Sequence, residues 1–184
     1  DGIGKAFSDF RLSQSGDFKP NRLEQDLNFK WVSISVLLLI LPITALYWYF
    51  SGSLLSAIVA AIVMTIAGFL FSAVAGYLVG LIGGSNNPIS GLTLSTLLVA
   101  ALLMVWLGTT GVKGIAAVLG VAGVVCCTAG VAGDMLQDLK VGHILGGTPR
   151  KMEIAEIIGV IAAALVLTGP LWLLHNYTPG GIGG

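Results

Sequence analysis

Gly83-Gly84-Ser85-Asn86-Asn87-Pro88-Ile89-Ser90-Gly91-Leu92-Thr93 is an uncharged, polar, helix-breaking stretch between two long apolar runs. Its position decides the fold. Inside a bilayer, backbone that is not helical persists only where protein buries it or where it lines a watery cavity. Asn87-Pro88 also reads as a helix start, with Asn at the N-cap and Pro at the first helical position, where a missing N–H costs nothing. The following helix then aims its N-terminal N–H groups, and about half a positive charge, back into the break. The pattern predicts a broken-helix site in a membrane protein.

Composition supports the class. Of 184 residues, 55% are hydrophobic and 10% charged, against roughly 25% charged in a soluble domain. Between Trp31 and Gly133 the only charged residue is Lys113. The expected fold is all-α and polytopic, with about five transmembrane helices and one polar helix break. Formal net charge is zero, which leaves no electrostatic footprint for nucleic acid. Cys126 and Cys127 are adjacent in an apolar run, with no disulfide framework around them and no further soft ligand for a metal. No cofactor and no metal site are expected. The sequence begins at Asp1 without a signal-peptide pattern and reads as a piece of something longer.

Working outward from the break gives five spans. Residues 1–30 hold the early charges and form a polar segment. Asn21-Arg22-Leu23-Glu24 in it resembles a capping box. The spans are about 31–50 (with Pro42 inside), 53–82, 88–107, 112–133 and 152–175, with the break at 83–91, a charged loop at 134–151 and an irregular tail at 178–184. At about 1.5 Å per residue the second span is near 45 Å long, beyond a hydrocarbon core of about 30 Å. It must tilt, bend or protrude. Gly76 and Gly80 in it have the spacing that lets helices approach closely. With five spans, residues 1–30, the break and the 134–151 loop share one side. Eight of the nine Lys/Arg then lie on that side: Lys5, Arg11, Lys19, Arg22, Lys30, Lys140, Arg150 and Lys151. The positive-inside rule makes that side cytoplasmic. Trp31, Trp48, Trp106 and Trp172 fall near span ends, where aromatic belts sit.

Two stretches are candidates for chemistry. In the break, Asn86, Asn87, Ser90 and Thr93 offer amides and hydroxyls for a substrate, because polar breaks in discontinuous helices mark transporter sites. The plainer reading is an ordinary polar loop at the membrane surface. The second candidate is Asp134-Met135-Leu136-Gln137-Asp138, continuing to His143. Asp134 and Asp138 are four apart, on one helix face with Gln137. Paired carboxylates with a histidine, the side chain whose reference pKa lies nearest neutrality, are residue types suited to proton coupling, which makes Asp134, Asp138 and His143 the candidates. A solvated loop is the plainer reading here too. Lys113 reads as an interfacial anchor, and His175 as another interfacial residue.

Residues 83–91, with Ala132-Gly133-Asp134-Met135-Leu136-Gln137-Asp138-Leu139-Lys140-Val141-Gly142-His143, Thr148-Pro149-Arg150, and Gln25-Asp26 ahead of Lys30-Trp31, resemble the oligopeptide transporter family, in its prokaryotic form, with the related yellow stripe-like transporters. The resemblance covers roughly residues 20–175. It implies a proton-coupled symporter importing small peptides or metal chelates, with more helices than five. The expected partners are the lipid bilayer, the remaining helices of the full-length transporter, a peptide or metal-chelate substrate and protons. The expected location is a bacterial inner membrane, with residues 1–30 cytoplasmic. No enzymatic activity is expected: Asp134 and Asp138 lie on one segment rather than on facing elements, and no Gly-x-Ser-x-Gly nucleophile motif is present. The alternative is a structural or assembly subunit that packs partner helices without transporting.

Overall fold

The computed structural model describes residues 22–178, the Glu24 side chain excepted. Five α-helices make up nearly all of it: α1 Phe29–Ser51, α2 Leu54–Ile82, α3 Ile89–Trp106, α4 Gly111–Leu145 and α5 Pro149–Tyr177. No strand occurs among the described residues. All five are long and apolar enough to cross a membrane, counting for α3 the 3-10 turn before it. The protein is an all-α, multi-pass membrane protein. The proposed capping box begins at Asn21, outside the described residues; Arg22–Glu24 form a single 3-10 turn.

Connections are short and alternate between two ends. At one end lie the segment before α1, the α2–α3 break and the α4–α5 turn. Contacts across that end join Arg22 to Gly146 and Gln25 to Arg150. At the other end lie the α1–α2 turn, with Gly52 against the Lys113 side chain, and the α3–α4 turn, where the Ser56 and Thr109 hydroxyls share a hydrogen bond of 2.6 Å.

Helix α4 is the hub, packing on α1, α2, α3 and α5. The core is built largely of small side chains: Ala57, Ala60 and Ala61 from α2, Ala100 from α3, and Ala117, Val121 and Val125 from α4. Lipid offers no hydrophobic drive for helices to associate, so close van der Waals packing must hold them, and small residues permit it. Gly120 lets the Tyr47 ring of α1 lie against α4, and Gly76 of α2 admits Leu136. Helix α5 is different: none of its residues is buried.

One element departs from the sequence reading. The segment from Asp134 expected as a loop is helical to Leu145. Charge was the wrong punctuation mark. Met135, Leu136, Gln137, Leu139 and Lys140 are good helix formers, and neither Gly nor Pro interrupts them. Charge ends the hydrocarbon-spanning part, not the helix. The uncharged stretch Gly114–Gly133 is already about 30 Å long, a full hydrocarbon core, and the rest protrudes. The helix stops where its chemistry says it should. Gly146 takes the left-handed conformation (φ 80°), Gly147 N–H donates to Gly142 O at 2.6 Å, and Gly146 N–H donates to His143 O. This is a Schellman cap, followed by Pro149 as the first residue of α5.

Candidate functional site

The break is short. Helix α2 ends at Ile82, Gly83 has a positive φ of 90°, Gly84–Asn86 make one 3-10 turn, and α3 starts at Ile89. The expected Asn cap is not made. Pro88 occupies the cap position of α3 without a side-chain bond, because the Asn87 side chain is used elsewhere. Its amide Nδ2 donates to Ala129 O of α4 at 3.3 Å. That carbonyl lies inside a continuous helix, so Asn87 takes its second lone pair.

Gly133 makes the docking possible. A Cβ there would overlap the Asn87 amide nitrogen and crowd Val79 of α2. One turn further along α4, the Gln137 side chain lies over Gly84, where a Cβ would overlap its Oε1. Beyond it, Lys140 Nζ donates to Gly80 O at 3.0 Å. Gly80 is in the last turn of α2, where carbonyls lack helical partners and a cation is favoured. Ala129, Gly133, Gln137 and Lys140 therefore form one stripe of α4 at helical spacing, and the break lies along it.

The break retains spare hydrogen-bonding capacity. Asn87 Oδ1 is buried with no partner among the described residues. Asn86 and Ser90 are exposed, and the Asn86 amide reaches Ile82 O only at 3.5 Å. Thr93 is half-buried and turns its hydroxyl back to Ile89 O at 2.7 Å. Of the four sequence-predicted break residues, only Asn87 is fixed by another helix.

Asp134, Asp138 and His143 are all exposed and do not converge. At about 100° per residue, Asp134 and Asp138 each point about 100° round α4 from Gly133 and Gln137, respectively. Asp138 faces a groove of about 260 Å³ between α4 and α5, with Met135, Met152 and Glu156. His143 lines a separate open cleft of about 370 Å³ with Asp26, Gly80, Leu136, Lys140 and Pro149. Gly133, and Gln137 and Lys140 as partners of the break, were missed from sequence. Their spacing on α4 becomes readable once the helix is continued past Gly133.

The structure thus joins the sequence motifs that carried the resemblance: residues 83–88 meet 129–140, and Gln25-Asp26 meet Pro149-Arg150. The model of the oligopeptide transporter protein family matches residues 2–182. The chain belongs to the oligopeptide transporter family. It is 30% identical over 185 aligned positions to a Haemophilus influenzae protein provisionally named an oligopeptide transporter, covering 91% of this chain and 29% of that protein. It is 39% identical over 54 positions to a Saccharomyces cerevisiae protein with the same provisional name, covering 29% of this chain and 7% of the yeast protein. The chain therefore spans under a third of the length of these relatives. No solved structure matches it.

Proposed function

We propose that this chain is part of a proton-coupled secondary transporter that imports small peptides or metal chelates. The break docked on α4 contributes to its substrate path. The observation that carries the reading is Asn87, anchored through Nδ2 on Ala129 O while Oδ1 stays buried and unpaired. A buried amide oxygen without a partner is costly, and a substrate N–H or a bound cation would relieve that cost. Family membership supports transport as the class of activity.

Proton coupling is assigned to Asp134, Asp138 and His143 on the protruding part of α4, reaching the break along the same rigid helix. We read the end that carries the break as the cytoplasmic side of a bacterial inner membrane, since Arg22, Lys30, Lys140, Arg150 and Lys151 lie there and, among the described residues, Lys113 alone of the Lys and Arg lies at the other end. Helix α5 and the outer face of α1, both apolar and uncovered, suit the lipid and the remaining helices of a longer transporter.

The test is uptake by the intact transporter in proteoliposomes under an imposed pH gradient. Asp134→Asn is expected to abolish gradient-driven uptake while leaving substrate exchange. Asn87→Ala is expected to weaken both. Uptake that survives substitutions at Asn87 and Asp134 contradicts the site assignment.

A further inference from the structure

Helix α5 meets the bundle only near its start. Its partly buried residues, Pro149, Met152, Glu153 and Glu156, all lie in the first two or so turns, and every residue from Ile157 to Tyr177 is exposed. The start itself is held. The Met152 sulfur fills the space over Gly142 and Gly147, and Leu27 N–H donates to the Glu153 carboxylate at 2.9 Å.

At that seat lies the groove of about 260 Å³ between α4 and α5. Asp138 and Glu156 face it from the two helices, and Met135, Leu139, Met152 and Ala155 give it apolar walls. Asp138 comes just after the uncharged stretch of α4, and Glu156 just before that of α5, so the groove sits at the membrane boundary. Neither carboxylate has a hydrogen-bond or ion-pair partner among the described residues. Carboxylates against apolar walls favour a cation between them.

Gly159 and Ala163 continue the Met152–Glu156 line along α5 at helical spacing. A Cβ at Gly159 meets no atom within 4 Å. Within the bundle, the glycines of helix contacts are filled: Gly76 by Leu136, Gly133 by Asn87 and Gly142 by Met152. Small residues allow a helix to come close, an allowance that lipid chains do not need. The chain covers 29% of the Haemophilus influenzae relative, so most of a protein of that length lies outside residues 1–184. Membrane helices also carry Lys and Arg at their cytoplasmic ends, which is the depth of the groove.

We propose that a transmembrane helix of the longer polypeptide, from outside residues 1–184, packs on the Met152–Ala163 line of α5 and sets a Lys or Arg between Asp138 and Glu156. This docking goes beyond the transport reading and does not rest on it. Where that reading also holds, Asp138 takes its proton when the cation withdraws.

The experiment uses the intact polypeptide in native membranes, with Cys126 and Cys127 replaced by alanine and one thiol introduced as Ala155→Cys. The thiol is modified with benzophenone maleimide and irradiated, and the adduct is identified by peptide mapping. The expected adduct is a peptide of the same polypeptide, outside residues 1–184, with a Lys or Arg within one helical turn of the attachment. Glu156→Gln is expected to lower the yield about twofold, as for a partly exposed ion pair. Glu156→Lys is expected to lower it about fivefold or more, by placing like charges together. Pairing Glu156→Lys with a Glu at the mapped basic position is expected to restore the parent yield. Thermal unfolding in detergent checks each variant, and if Glu156→Lys does not fold, the Glu156→Gln yield decides. Adducts confined to lipid, to residues 1–184 or to an isotopically distinguished second copy overturn the proposal. So does an attached peptide without a basic residue, or a yield that the charge variants leave unchanged. Uptake is measured separately. A parent without uptake counts against the transport reading, while the cross-links still decide the docking.

Discussion

The two ends of α3 solve one problem in opposite ways. At its C-terminal end, the turn into α4 is tied to α2 with both hydroxyls matched. Thr109 and Ser56 satisfy each other, Ser56 is 1% exposed, and Gly114 leaves room for the Thr109 carbonyl. At its N-terminal end, the break reaches sideways to α4 and remains unfinished, with Asn87 Oδ1 buried and unpaired and Asn86 and Ser90 exposed. Polar groups at a membrane boundary are expensive to leave unmatched. A connection that serves only to reverse the chain has no reason to carry that cost. Under the transport reading proposed above, the first end is structural and the break is where a substrate would bind.

Substitutions at the two ends should separate these roles. The largest loss of stability is expected from Gly114→Ala. The new Cβ meets a backbone carbonyl, which cannot swing aside, and overpacking of this kind costs about 1–3 kcal/mol. Thermal unfolding in detergent should show it, with uptake per folded molecule unchanged. Ser56→Ala should follow at about 1 kcal/mol, from the Thr109 hydroxyl left without its partner, again without a specific transport defect.

At the break the balance reverses. Gly133→Ala displaces a flexible amide, so its cost is expected near that of one lost hydrogen bond, about 1 kcal/mol. Asn87→Ala should change stability less, because losing the bond to Ala129 is offset by removing the unpaired oxygen. Combining the two should reduce the added cost of Gly133→Ala, since only the crowding of Val79 then remains. Additive losses in that double variant would mean Asn87 is not docked on Gly133. Under the transporter reading both single variants lose uptake at least tenfold. The smallest effect is expected from Lys140→Met, about 0.5 kcal/mol or less for an exposed ammonium.

Much of this was legible in the sequence. Apolar length and the single charge between Trp31 and Gly133 fix the membrane class and five spans, because lipid leaves the backbone few alternatives. The break was legible from its glycines and Asn-Pro. Its docking was not. Asn87 next to Pro88 has two uses for one side chain, a local cap or a contact 42 residues away, and local propensity sees only the first. The charged end of α4 was misread because hydropathy reports where lipid ends, whereas the Schellman cap at Gly146-Gly147 reports where the helix ends. Gln137 was grouped with the aspartates on a shared face, yet it turns to Gly84. That choice depends on which side of α4 the break occupies, and a single helix does not encode it. The carboxylates, read from sequence as a second site for proton coupling, face about a third of a turn away from the break.

The most direct measurement is a cross-link between the break and α4 in the native membrane. Gly84→Cys and Gln137→Cys, in the intact transporter with Cys126 and Cys127 replaced by alanine, put two thiols where the Gln137 side chain now covers Gly84. Rapid disulfide formation under mild oxidation is the expected result, with a Gly84→Cys and Asp138→Cys pair slower because Asp138 faces the other groove. Equal rates for the two pairs, or none for the first, would mean that the break is not docked on the Gly133–Gln137 face of α4.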